Sequence, residues 1–370
     1  MKDRIISIDV FRGMTIFLMI IVNTPGSWSY VYPPLLHAKW HGCTPTDLVF
    51  PFFLFIVGIT LFISFDKIMK KHSDDPGLRS KLLRKTIRRA ALIFLVGLFL
   101  NWFPFYHINI SDLRILGVLQ RIALSFAGAA LLVLLIRNIN KIAIAATALL
   151  LAYWFVLYYW GGSDPYSLES NIAGKFDVLL FGESHVYHGF GIPFDPEGLL
   201  GTISGVGHVL IGYLIGSMIL KAKDKKELMK RLLLSGVGLI ALGLIWNIFL
   251  PINKPLWTSS YAVYTCGIAS IVLALMVWII DIMKIEKWSY VFKVFGLNPL
   301  FSYALSGIII SLLIHTISIG GVSASSWLYE NVFQSLFGNY FGSFMFALSY
   351  TMLIWLIAWP LYRKKIVIKI

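Results

Sequence analysis

The residue best suited to acid-base chemistry in this 370-residue chain is His37, within Tyr30-Val31-Tyr32-Pro33-Pro34-Leu35-Leu36-His37-Ala38-Lys39-Trp40-His41-Gly42. Histidine is the one side chain whose unperturbed pKa, about 6.5, suits proton abstraction from an amine or hydroxyl near neutrality. The segment is too apolar for a fully solvated loop and is expected to dip into the protein. Trp28, Tyr30, Tyr32 and Trp40 give it an aromatic wall of the kind that stacks on sugar rings. A histidine merely hydrogen-bonded in place is the plainer reading. Ten residues on, Asp47 opens a helix in Thr44-Pro45-Thr46-Asp47-Leu48-Val49-Phe50-Pro51-Phe52-Phe53. It, or Thr46, can cap the positive helix end, and Asp47 can also orient a nearby histidine. A metal reading arises because His37 and His41 are four apart and Glu183, His185 and His188 cluster. Without an HExxH helix around such a pair, no metal is expected.

Other polar residues stand where the chain is otherwise apolar, and each needs a partner, a cavity or a function. Asp9 and Arg12 are three apart on one helix face, so they form a local ion pair or frame an anion site. Gln120-Arg121 follows Leu113-Arg114-Ile115-Leu116-Gly117-Val118-Leu119, which puts an arginine about two turns into a helix and facing the interior. Phe194-Asp195-Pro196-Glu197-Gly198 precedes another helix, where Asp195 and Glu197 cap it, hold a loop or touch substrate. Leu256-Trp257-Thr258-Ser259-Ser260-Tyr261 brings an indole and hydroxyls to an interface where aromatic belts are common. Asn298-Pro299 starts a helix, with capping the default role of Asn298. Cys43 and Cys266 indicate neither a disulfide framework nor a thiolate metal site.

The elements that must position these residues are membrane helices. The composition is 58% hydrophobic, 15% aromatic and 14% charged, with a mean hydropathy of +0.78, whereas soluble domains carry about 25% charged residues. Ten apolar runs, each long enough for a helix across a core of about 30 Å, are centred on 6–23, 47–65, 90–105, 115–136, 142–160, 199–220, 232–250, 262–283, 295–317 and 341–361. The fold class expected is an all-α polytopic bundle of about ten transmembrane helices, a single domain over 1–370. Asp9 and Arg12 interrupt the first run and no small-residue cleavage site follows, so it reads as a helix of the protein and not as a signal peptide.

With both termini cytoplasmic, 26 of the 32 Lys and Arg fall in inner segments. The outer loops hold only Lys39, Arg114, Lys175 and Lys254. That asymmetry fixes the orientation and explains most of the +14 net charge as orientation and contact with anionic lipid. Nucleic acid is left without support as a partner. The outer loops 24–46, 161–198 and 318–340 are long and rich in Gly, Pro, Ser, Trp and Tyr. With most of the histidines on that side, chemistry or recognition belongs to the outer face.

Taken in order, Asp9-Val10-Phe11-Arg12-Gly13, Val22-Asn23, His37-Ala38-Lys39-Trp40-His41-Gly42, Asp47-Leu48-Val49-Phe50-Pro51-Phe52-Phe53, Gly117-Val118-Leu119-Gln120-Arg121-Ile122, Asp195-Pro196-Glu197-Gly198, Leu256-Trp257-Thr258-Ser259-Ser260-Tyr261 and Gly296-Leu297-Asn298-Pro299-Leu300 resemble the heparan-alpha-glucosaminide N-acetyltransferase family and its bacterial homologues. The likeness runs from the first helix to the ninth. The lysosomal members carry a further luminal domain and helix ahead of the Asp-x-Phe-Arg-Gly word, which here stands at residues 9–13.

The resemblance implies transfer of the acetyl group of cytosolic acetyl-CoA to the amino group of a terminal glucosamine across the membrane. It implies His37 as the catalytic histidine and Asn23 as its neighbouring asparagine, in the inner membrane of a bacterium. The thioester is already activated, so the site needs a base, an oxyanion donor and a dry alignment. His37 serves as base in direct transfer or as acetyl acceptor in a ping-pong route, with Asn23 as amide donor and Asp47 behind the histidine. Arg121, Arg12 and Gln120, with Arg88 and Arg89, are the expected contacts of the CoA phosphates. Trp28, Trp40, Asp195, Glu197, Trp257 and Asn298 are the expected substrate contacts. Partners are then membrane lipid and an amino-sugar or glycan acceptor, and a homodimer is compatible with the sequence. The competing readings are an amino-sugar transporter with a midplane polar site and an O-acyltransferase of a surface glycan.

Overall fold

A computed structural model describes residues 5–72, 75 and 77–368. Lys2, Arg4 and Lys369, counted above toward the inner face, lie outside the described residues. The long helices are α1 (Ile6–Asn23), α2 (Val49–Lys71), α3 (Leu78–Trp102), α4 (Val118–Ile136), α5 (Ile139–Trp160), α7 (Gly201–Lys221), α8 (Lys225–Asn247), α9 (Ser259–Met276), α11 (Pro299–Ser311) and α14 (Asn339–Arg363). Shorter helices lie between them: α6 (Ile172–Phe181), α10 (Tyr290–Leu297), α12 (Ala324–Leu328) and α13 (Ser335–Phe337). Among the described residues, nine helices are long and apolar enough to cross a membrane.

The tenth expected span is α3, which falls short on composition because Arg79, Lys81, Arg84, Lys85, Arg88 and Arg89 fill its first half. Its 25 residues reach about 37 Å, and both ends of the described chain lie at one end of the bundle. There Asp281 accepts the N–H groups of Ile6 and Ser7, both at 3.2 Å, and the Asn298 amide donates to the Ile366 carbonyl at 2.9 Å. Nine crossings would leave the ends on opposite sides, so α3 crosses as well.

Helix pairs touch through glycines, because without hydrophobic drive inside lipid the backbones must approach closely. A side chain at Gly13 of α1 would overlap the Phe292 carbonyl of α10, and one at Gly212 of α7 would overlap the Phe55 carbonyl of α2. The outward faces of α5 and α8 leave Ile144, Phe155, Leu234 and Ile245 at least 57% exposed, a surface that lipid covers.

The ninth run is broken where the sequence read it as continuous. Pro299 has no N–H to extend α10, and its fixed φ restarts the chain as α11. Two outer loops also carry structure of their own. Asn171 caps α6 by accepting the Gly174 N–H at 2.8 Å, and residues 318–323 form a two-strand hairpin of Ser318–Ile319 and Val322–Ser323 ahead of α12. Apolar periodicity does not register a helix of ten residues or a hairpin with two-residue strands.

Candidate active site

His37 and Asp47 meet ahead of α2, at the end of the bundle away from the described termini, where Tyr261 of α9 reaches the Asp47 backbone. Pro45 starts a short helical turn, and Thr44 and Asp47 close a reciprocal capping box around it. Asp47 caps through its Oδ2, which accepts the Thr44 N–H, the Thr44 hydroxyl and the Ala38 N–H, each at 3.0 Å. Its Oδ1 is 2.6 Å from His37 Nδ1, so capping and orientation operate together, as the sequence allowed. The Tyr261 hydroxyl of α9 donates to the Asp47 carbonyl at 2.5 Å. Asp47 is 1% exposed and the His37 side chain 48%. A carboxylate only accepts, so Nδ1 carries the hydrogen and Nε2 keeps its lone pair.

Lys254 completes this group from the α8–α9 connection. Its Nζ is 3.5 Å from Asp47 Oδ1 and 3.0 and 3.3 Å from the two ring nitrogens of His37. Near-equal distances to both nitrogens put the amine over the ring face, so that Asp47 holds the in-plane direction at Nδ1 and Lys254 does not fill the one at Nε2. Burial pushes the Lys254 amine below its ordinary pKa, with Asp47 opposing. Beside it, burial, aided by Asp47, pushes the Cys43 thiol up to about 12, so Cys43 stays protonated and unreactive.

Asn253, fully buried, ties this connection to the histidine segment. Its amide donates to the Trp40 carbonyl at 3.0 Å and accepts the Leu256 N–H at 2.7 Å, and Gly42 donates to the Ile252 carbonyl at 2.7 Å. Trp40 donates its indole N–H to the Tyr166 carbonyl at 2.8 Å and packs edge-on to Phe190 and Phe194. Trp28 stands 64% exposed on the outer apron.

Asp195 and Glu197 hold Arg114. The guanidinium grips Asp195 at 2.8 and 2.7 Å and Glu197 at 2.6 Å, with the Tyr187 ring 4.8 Å away. Burial works against the cation, but these two carboxylates outweigh it and hold its pKa above the ordinary arginine range. Arg121 lies beneath them. It is 1% exposed, donates to the Gly198 carbonyl at 2.7 Å and covers the Trp257 ring at 5.2 Å. Because α4 starts at Val118, Arg121 sits in its first turn, nearer the outer end than the sequence expected. The basic inner end is 15 residues away, about 22 Å along the helix. Asp177 of α6 joins the cluster, accepting the Leu199 N–H at 2.9 Å. Burial pushes its carboxyl up to about 7, with the Leu199 hydrogen bond opposing and Asp195 adding.

Three other expected site residues lie elsewhere. Arg12 sits at the inner end of α1, 3.6 Å from Asp9 and 3.4 Å from the Gly296 carbonyl. Asn298 is also inner, its amide engaged by Ile366 and Ile368 of the C-terminal segment. Gln120 is buried against Gly97 of α3. Asn23, exposed at the outer end of α1, has no hydrogen-bond partner among the described residues. It lines a cavity of about 150 Å³ with Met19, Leu100, Tyr303, Ser306 and Ile310. Tyr303 of this cavity and Lys254 of the His37 group both lie within electrostatic range of Glu197.

Sequence reasoning passed over Lys254, Arg114, Asn253 and Asp177 as site residues. The signal for the first two was present: they are half of the four basic residues on an outer face otherwise stripped of positive charge.

A family model described as "Heparan-alpha-glucosaminide N-acetyltransferase, catalytic" matches residues 4–169. The heparan-alpha-glucosaminide N-acetyltransferase of Homo sapiens is 28% identical over 336 residues, covering 76% of this chain and 50% of the human protein. That of Mus musculus is 27% identical over 338 residues, with coverage of 76% and 50%. The chain spans about half the length of the curated relatives it matches. Over its first 169 residues the chain is therefore similar to the catalytic part of the heparan-alpha-glucosaminide N-acetyltransferase family.

Proposed function

We propose that the protein is a multi-pass membrane N-acetyltransferase that moves the acetyl group of acetyl-CoA to the amino group of a glucosamine-type sugar at the outer face. The observation that carries this reading is the His37–Asp47 pair: a half-exposed imidazole whose Nδ1 is held by a buried carboxylate, which leaves Nε2 with its lone pair. Acetyl-CoA supplies an activated acyl carbon and a thiolate leaving group. The cavity beside Asn23 is lined mostly by apolar side chains with an amide, a phenol and two hydroxyls and carries no charge, which suits an uncharged acyl arm.

In this reading His37 Nε2 takes the proton of the bound sugar ammonium, and Asp47 stabilises the imidazolium that results. The Asn23 amide donates to the oxygen on which negative charge develops. Arg12, with Arg88 and Arg89 on the basic half of α3, meets the phosphates at the inner end. Arg121 holds the Asp195–Gly198 loop over Trp257 and so shapes the sugar side, where Trp40 and Trp28 offer ring faces. Asp195 and Glu197, buried and paired with Arg114, fix the loop that borders this sugar side.

The test uses sealed vesicles with the purified protein, acetyl-CoA on the basic face and glucosamine on the other. N-acetylglucosamine appearing on the glucosamine side supports the reading. Movement of unmodified glucosamine across the membrane, with no CoA released, would replace it with transport.

A further inference from the structure

The Lys254 side chain occupies the ground that an acceptor amine must reach. Nζ is 3.0 and 3.3 Å from the ring nitrogens of His37, over the ring face, and 3.5 Å from the carboxylate that backs the histidine. The side chain is 16% exposed, and its loop is fixed to the histidine segment by Asn253 and by the bridge between Gly42 and Asn253. An amine held this way reaches any acyl group brought to His37 without a diffusional encounter, an advantage that for aligned groups amounts to many orders of magnitude in effective concentration. The groups around it are Asp47, His37, Cys43 and Glu197, and two of them, Asp47 and Glu197, are carboxylates that favour the unreactive ammonium.

We propose that Lys254 is an internal acetyl acceptor: when no sugar amine is bound, it takes the acetyl group itself and silences the site. The inference rests on the acetyltransferase reading above. In the step, Lys254 Nζ moves from over the ring to the in-plane side of Nε2, 3.3 Å from it at the start, and gives Nε2 a proton, and its nitrogen lone pair bonds to the thioester carbonyl carbon. The carbon–sulfur bond then breaks, and the second amine proton leaves with the thiolate as CoA thiol. The proton on His37 passes to water. The products are Nε-acetyl-Lys254, CoA and one proton. The acetylated side chain has lost its charge, no longer pairs with Asp47, and covers the face of His37 with an amide.

The experiment incubates the purified full chain with acetyl-CoA alone, then reads acetyl mass on each lysine peptide and, in the same sample, glucosamine-dependent CoA release. Exposed outer-face Lys39 and Lys175 report uncatalysed acylation. The expected result is acetylation of Lys254 at least about tenfold above those two, lost in His37→Gln, suppressed by glucosamine, and accompanied by falling turnover. Lys254→Arg keeps the charge and is expected to fold, to stay unlabelled and to resist this inactivation. Glucosamine turnover without label on Lys254, or acetyl on His37 alone, would overturn the inference and leave the acetyltransferase reading standing. Absence of both label and turnover would overturn the two together.

Discussion

Replacing Asp47 with Asn alters charge and donor pattern with almost no change in shape, and the surrounding hydrogen bonds dictate how the amide must turn. Three donors converge on Oδ2, from Ala38 and Thr44. An NH₂ group cannot face them, so the Asn oxygen takes that position and the NH₂ turns toward His37. Nδ1 must then offer a lone pair, which moves the ring hydrogen to Nε2 and removes the base from the substrate side. Lys254 loses its counter-ion at 3.5 Å. Correctly poised general-base catalysis contributes about 10²–10⁴-fold, so Asp47→Asn lowers kcat by about that factor with a much smaller change in KM for acetyl-CoA. The fold loses about 1–3 kcal/mol from the weakened cap and the unpaired lysine. The assay is steady-state CoA release with glucosamine, beside a thermal melt of the same sample. Retention of kcat within about threefold of wild type, where the base is worth about 10²-fold or more, would refute the claim that Asp47 sets the histidine tautomer.

Two further perturbations test the outer cluster. Arg114→Gln leaves Asp195, which is fully buried, without its bidentate partner, and thermal unfolding is expected to show a loss of about 3 kcal/mol, the range for breaking a buried pair. Asp177 binds its proton more tightly in the fold, up to about 7, than at its ordinary value of 3.8. The unfolded chain therefore releases that proton first, and native stability falls as pH rises from about 4 to about 7 before levelling. Asp177→Asn keeps the acceptor for Leu199 and removes this dependence, so its melting temperature gains on wild type progressively across that window. A constant difference between the two from pH 4 to 8 would contradict the assignment.

The bundle was largely legible because lipid enforces it: runs of about 20 apolar residues become helices, although the ninth is divided at Pro299. The charge asymmetry expects both termini on one side, and the two described ends do lie at one end of the bundle. His37 and Asp47 were legible as a pair because a capping turn limits how far apart ten residues can lie. Arg121 was legible as buried but not in depth, since Val118 and not Ile115 begins the helix and moves the arginine into the first turn. Asn298 was marked by its proline, yet its amide serves the C-terminal segment 68 residues on, a contact that no local pattern encodes. Lys254 and Arg114 owe their positions to partners 207 and 81 residues away in the chain, and spacing arguments do not reach that far. Their rarity on the outer face was the one usable sign.

The central claim is acetyl transfer at His37, and it is tested most directly by free-CoA thiol release from purified protein given acetyl-CoA, with and without glucosamine, for wild type and His37→Ala. The account predicts glucosamine-dependent release in the wild type and its loss in the variant, which still unfolds cooperatively. Equal glucosamine-dependent release from both proteins would contradict it.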